Sequence, residues 1–298
     1  MNARPPLTLR TLGAILGRSL AGWWNDDVPR LGASLAYYTL FALAPVLVIA
    51  IAIGGLAFGA EAMRGEIVGQ IQGLIGREGA EAVQAMLEGA SRPTSSLAAT
   101  ILGLVTFFIG ATGAFLELQT ALNTIWHVEL KPTGSYWRAL VMQRVISFGL
   151  VVAVGFLLLT SLLVSAALAA AHRFLGNAFP GVFVLWEGLN VIVSLGVITL
   201  LFALIYKVLP DVRLAWRDVW LGALVTAGLF SVGKLLIGLY LGTTSIASTY
   251  GAAGSVVVVL VWVYYSAQVI LLGAEFTRAW VDAFGSRVDE GKAEPATG

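Results

Sequence analysis

In a chain whose long apolar stretches reject charge, few side chains are placed to do chemistry. Lys234 is the leading one, because it stands alone inside the otherwise uncharged stretch 219–241. At 1.5 Å per helical residue it lies about 21 Å along from Trp220. A charge at that depth in a bilayer costs several kcal/mol unless it is paired, hydrated or bound to a ligand. Glu187 heads the preceding apolar stretch, and a turn near Pro210 to Val212 lies midway between Glu187 and Lys234. An antiparallel hairpin folded at that turn brings both side chains to similar depth. The spacing therefore predicts a Glu187–Lys234 pair, with Asn190 one turn deeper as a further partner. The alternative is that Lys234 snorkels to the outer interface and anchors its helix.

The other polar residues carry weaker expectations. Glu117 and Glu275 end the second and sixth apolar stretches on the inner side, where each can hydrate at the interface. Gln119 and Asn123 share a helical face at i, i+4 and are placed to bond across helices. Tyr265 and Gln268, three apart, can line a cavity, although helix packing is the commoner use of the aromatics Trp262, Tyr264 and Tyr265. Pro45 sits midway along the first stretch, where it removes a backbone bond, frees the carbonyl of Phe41 and should kink the helix.

Catalytic constellations are largely absent from the sequence. With no cysteine, thiol catalysis and thiolate metal sites are excluded. His127 and His172 fall in loops on opposite sides of the membrane and cannot share a metal. There is no His-Glu-x-x-His, no P-loop lysine and no Gly-x-Ser-x-Gly elbow, and Gly110-Ala111-Thr112-Gly113 lacks a nucleotide-binding context. An intramembrane hydrolase would have only Glu117 and Glu275 as an inner carboxylate pair. The chain is therefore read as non-enzymatic, with no catalytic residue, cofactor or metal expected.

The elements that must position these residues follow from the charge-free stretches. They cover residues 31–60, 93–116, 145–171, 188–206, 219–241 and 252–274, with Lys234 the one intruder. A bilayer core needs about 20 apolar helical residues to cross it, and each stretch supplies close to that or more. Hydrophobic residues make up 58% and charged residues 12% of the 298, against roughly 45–50% and 25% in soluble proteins. The 34 glycines suit helices that approach closely in lipid. The expected fold is all-α and polytopic, with six transmembrane helices at about 31–58, 95–118, 142–171, 184–208, 218–241 and 252–279. One membrane domain, 1–285, would be followed by a disordered tail, 286–298.

The flanking segments have their own pattern. Leu9, Leu12, Leu16 and Trp23 recur at helical spacing with Arg10 and Arg18 off that face, which predicts an interfacial helix before the first span. A first apolar run that begins only at Leu31 and exceeds a signal-peptide core does not look like a cleaved leader. The outer loop, 59–94, reads as two amphipathic helices broken at Gly76-Arg77-Glu78-Gly79. Basic residues are asymmetric. Arg4, Arg10, Arg18 and Arg30, then Lys131, Arg138 and Arg144, Lys207, Arg213 and Arg217, and Arg278, Arg287 and Lys292 share one side. The other side holds Arg64, Arg77, Arg92 and Arg173. The positive-inside rule places both termini in the cytoplasm. A net charge of +1 with no basic block argues against nucleic acid as a partner.

Several segments resemble a known family. "GASLAYYTLFALAPVLV" (32–48), "ALNTIW" (121–126), "YKVLPDVRLAWRDVWLGALV" (206–225), "GKLLIGLYL" (233–241) and "YGAAGSVVVVLVWVYYSAQVILLGAEF" (250–276) look like the YihY/BrkB family of bacterial inner-membrane proteins. Tyr37, Pro45, Asn123, Trp126, Pro210, Lys234, Gly251, Tyr265, Gly273 and Glu275 are the positions that carry the shared pattern. The resemblance implies a multi-pass inner-membrane protein. Its relatives were formerly labelled ribonuclease BN, and some are linked to virulence; transport of lipid or lipid-linked material has been suggested for others. The nuclease label does not suit this chain, since metal-assisted phosphodiester hydrolysis needs convergent ligands that two separated histidines cannot supply. The expected function is a transporter or translocase of a lipid, lipid-linked or otherwise anionic substrate, with membrane lipids as partners. A non-catalytic scaffold or envelope-integrity factor is the alternative. Oligomeric state is open.

Overall fold

The computed structural model describes residues 8–90, 113–128, 149, 183–212, 214–243 and 254–284. The elements among them are helices: α1 (Leu9–Asn25), α2 (Val28–Phe58), α3 (Ala60–Ala90), α4 (113–125), α5 (Phe183–Val208), α6 (Trp216–Thr243) and α7 (Gly254–Phe284). Three of them contain stretches long and apolar enough to cross a membrane: Val191–Val208, Trp216–Ile237 and Val256–Phe284. A fourth, α2, qualifies as a bent pair of segments. The expected third span (142–171) apart from residue 149, the first part of the expected second (95–112), the loop around Lys131 expected on the cytoplasmic side and the tail 286–298 lie outside the described residues.

Local sequence explains how the helices begin and turn. The side chain of Thr8 caps α1 by accepting from the backbone N–H of Thr11 at 3.3 Å. Asp26 and Asp27 then form a two-residue corner, Asp27 adopting a left-handed φ of 52°. Pro29 in the first turn of α2 costs nothing there, because its missing N–H would have no partner in the helix. Between 28–44 and 46–52 the axis of α2 bends by 41°. The bend falls at Pro45, where the sequence requires one.

The segment expected to form the outer loop, 59–94, differs from expectation over its described part. It is one continuous helix of 31 residues, not two broken at Gly76–Gly79. A helical glycine costs only about 1 kcal/mol relative to alanine, and no proline forces a stop. Packing easily exceeds that cost. Met63, Ala82, Val83 and Leu87 bury against Leu43, Leu47 and Ile51 of α2 and against Val259 and Trp262 of α7. On the open side, Arg77 and Glu81 pair at 2.8 Å one turn apart. The hairpin from α2 into α3 turns on Gly59, whose φ of +85° favours a residue without a Cβ.

α7 is the axis of the bundle, in contact with α1, α2, α3 and α6. The main core joins Leu31 and Leu35 of α2, Leu122 and Ile125 of α4, Phe202 and Tyr206 of α5, Val219 and Ala223 of α6, and Leu271 and Ala274 of α7. In lipid such contacts gain little from excluding water. Close packing and hydrogen bonds carry the association instead. Gly273 shows how close: a Cβ there would lie 1.9 Å from Thr226 Oγ1 and 2.6 Å from the Tyr206 hydroxyl.

Candidate functional site

Polar side chains concentrate at one end of the bundle, where the α1–α2 corner, the end of α4, the α5–α6 turn and the last turns of α7 meet. Their bonds form three groups. In the first, Asn123 on α4 grips the α5–α6 turn with both ends of its amide. Its Nδ2 donates to Asp211 Oδ2 at 2.8 Å, and its Oδ1 accepts from the Asp211 backbone N–H at 2.8 Å. Gln119, one turn earlier, donates to both Asp211 oxygens at 3.3 Å. The i, i+4 pair Gln119 and Asn123 thus bonds to the α5–α6 turn, not to a facing helix. Lys207 ties the same turn by donating to the carbonyl of Leu214.

In the second group, the fully buried Tyr206 joins three helices. Its hydroxyl donates to the carbonyl of Ile270 at 2.6 Å and lies 3.0 Å from Thr226 Oγ1. Thr226 in turn donates to the carbonyl of Gly222, 2.7 Å away.

The third group is charged. Arg278 Nη1 donates to Asp26 Oδ2 at 2.8 Å and to the carbonyl of Ile125 at 2.6 Å. His127 Nε2 lies 3.0 Å from the other Asp26 oxygen. Beside it, Trp23 Nε1 donates to Gln268 Oε1 at 3.0 Å, and Gln268 Nε2 donates to the carbonyl of Val28 at 3.4 Å. Gln268 therefore fastens the α1–α2 corner to α7. Trp23 turns inward for this bond, while Leu9, Leu12, Leu16, Leu20 and Trp24 leave an exposed apolar stripe along α1.

Glu275 departs from its expected place. It does not end its helix at a hydrated interface: α7 runs on to Phe284, and Glu275 is 2% exposed. The carboxylate that shares Arg278 Nη1 with it is Asp26, at 2.8 Å against 3.9 Å for Glu275, while Glu117 is half-buried on α4. Asp26, Asp211 and Arg278 were missed as site residues because all three lie outside the charge-free stretches. Their signal was available in part, since Asp26-Asp27 separates two helical patterns and Pro210-Asp211 marks a turn.

Lys234 stands apart from this end. Its side chain is exposed and makes no ion pair among the described residues. Around it α6 exposes Val232, Leu235, Leu236, Leu239 and Tyr240. The preceding residue, Gly233, packs under the Tyr265 ring, so Tyr265 fills the α6–α7 contact. Glu187 and Asn190 are carried by the first turns of α5, but their side chains lie outside the described residues, and with them the expected pair. No cluster of metal-ligating side chains occurs among the described residues.

Comparison with known proteins decides the family. The family described as "Virulence factor BrkB" matches residues 19–297. The chain belongs to the BrkB family. It is similar to the UPF0761 membrane protein of Ralstonia nicotianae, 30% identical over 84% of this chain and 55% of the relative. Similar BrkB-family matches are the UPF0761 membrane proteins of Pseudomonas paraeruginosa, 30% identical over 84% of this chain and 58% of the relative, and of Acinetobacter baylyi, 25% identical over 83% and 57%. The chain spans a little over half the length of these curated relatives. No solved structure matches it. It is an integral membrane protein of this family.

Proposed function

We propose that this BrkB-family protein moves a lipid or lipid-linked anionic substrate along the lipid-facing side of α6, with Lys234 contacting the anionic headgroup. The observation that carries the reading is Lys234 itself, exposed on a helix face otherwise composed of Val232, Leu235, Leu236 and Leu239. An ammonium on an apolar face needs compensation, and a phosphate brought to it from lipid attracts it strongly where water is scarce. The chain would act without catalysis, as six spans with both termini on the cytoplasmic side of a bacterial inner membrane. α1 would lie on that surface, its Leu9, Leu12, Leu16, Leu20 and Trp24 stripe in the acyl boundary.

A second reading, a non-catalytic scaffold, draws on a different observation. The buried amides of Gln119 and Asn123 and the hydroxyls of Tyr206 and Thr226 are all bonded, as groups that only lock helices together would be. Liposome reconstitution separates the two. The translocase moves headgroup-labelled anionic lipid faster than a zwitterionic one and loses that preference in Lys234→Met at equal abundance. A scaffold moves neither.

A further inference from the structure

Helix α1 has two sides, and only one of them is fixed to the bundle. On that side Gly22 crosses so near Glu275 that a Cβ would lie 2.3 Å from Oε2. Ser19 is buried, and Ile15 clusters with Phe276 and Ala279. Ile15 to Gly22 is about 10 Å along α1, whereas Glu275 to Ala279 is about 6 Å along α7. The two helices therefore cross obliquely, and α1 keeps near one level of a bundle whose axis is α7. Charge returns at this end, with Lys207 in the last turn of α5, Arg217 on α6 and Arg278 on α7. Trp216 and Trp220 are exposed in the first turns of α6, as residues at a membrane–water boundary are.

The other side of α1 is apolar and uncovered. Leu9, Leu12, Leu16, Leu20 and Trp24 are exposed, and at 3.6 residues per turn they share an arc of about 120°. Arg10 borders that arc and Arg18 lies opposite it; both are exposed. No Asp or Glu occurs in the helix. An apolar arc beside unanswered arginines fits an anionic lipid surface, where buried apolar area and electrostatic attraction add. A second copy joined through the same face would bring arginines together with no carboxylate on either helix to answer them.

We propose that α1 is a binding site for anionic lipids of the leaflet on which it lies. Its leucine–tryptophan arc sits among the acyl chains, Arg10 meets headgroup phosphates, and Arg18 lies in the field of the charged surface. Because Trp23 bonds Gln268 and Gly22 abuts Glu275, bound lipid is tied to the end of the bundle that holds Arg278. This site rests on the surface placement of α1 and is separate from Lys234 on α6.

The chain has no cysteine, so Leu16→Cys places a single spin label on the exposed arc of the full-length protein. In nanodiscs, its collisions with oxygen, which enters the acyl chains, are compared with those of a water-soluble nickel chelate. In discs containing phosphatidylglycerol the label meets oxygen and is shielded from nickel. In discs of phosphatidylcholine alone, and at high salt, nickel access rises. Adding Arg10→Gln and Arg18→Gln in the phosphatidylglycerol discs does the same, each arginine shifting the docked-to-free ratio roughly fivefold. Nickel access in both lipids overturns the proposal, and so does equal oxygen access in both. A label shielded from both reagents overturns it in favour of a protein partner or a second copy. The comparison of lipids needs no arginine variant, and its failure leaves lipid movement at Lys234 untouched.

Discussion

Replacing Asn123 with alanine isolates the join between α4 and the α5–α6 turn. The residue is 7% exposed and makes two bonds of 2.8 Å to Asp211, one from the backbone N–H and one to the carboxylate. A neutral hydrogen bond contributes about 1 kcal/mol and one to a charged group about 1.5–3 kcal/mol. Gln119 stays behind as a longer donor at 3.3 Å, so the carboxylate is not left bare and the loss stays near 3 kcal/mol. At roughly 2–4 °C per kcal/mol for a chain of this size, the melting temperature falls by roughly 6–12 °C. Size-exclusion chromatography after stepwise heating in mild detergent reads this directly. Asp211→Ala and the double variant complete a cycle, in which the double is little worse than the poorer single, a coupling of about 1–3 kcal/mol. An Asn123→Ala protein melting within about 2 °C of wild type, or a fully additive double, refutes the argument.

Three other expectations follow from the same geometry. Gly273→Ala forces a methyl between Thr226 and Tyr206, which are bonded and cannot both give way, and lowers stability by about 1–3 kcal/mol in the same heating assay. Arg278→Gln removes the counter-charge of Asp26 and Glu275 and costs about 3–5 kcal/mol; adding Glu275→Gln should restore part of it, and the heating assay on the pair shows whether it does. Pro45→Ala restores the backbone bond to Phe41 and straightens the 41° bend of α2, which spin-label distances between the ends of α2 would register as a lengthening.

Much of this architecture is legible in the sequence because lipid imposes a simple rule. Charge is excluded from spans, and the structure places α2, α5, α6 and α7 on four of the charge-free stretches. Proline at 45 and the i, i+4 pair Gln119 and Asn123 were equally readable, since each acts through local geometry. What the pattern hides is partnership across the fold. Asp211 bonds to a residue 88 positions away, and Asp26 to one 252 positions away. Both sit in short corners where charge is ordinary and draws no attention. The continuity of α3 was hidden for a different reason: Gly76 and Gly79 weaken a helix locally, and only the burial of Val83 and Leu87 against α2 and α7 decides that it persists. Glu275 looked like a helix end because the uncharged run stops there, yet the helix runs on through Arg278 and Asp282 to Phe284.

An anionic lipid headgroup at Lys234 would show itself in movement of a headgroup-labelled anionic lipid across proteoliposomes, comparing wild type with Lys234→Met. Wild type should move the lipid and the variant should not, at unchanged abundance and melting temperature. No movement of any anionic lipid by wild type, or full movement by Lys234→Met, would contradict it.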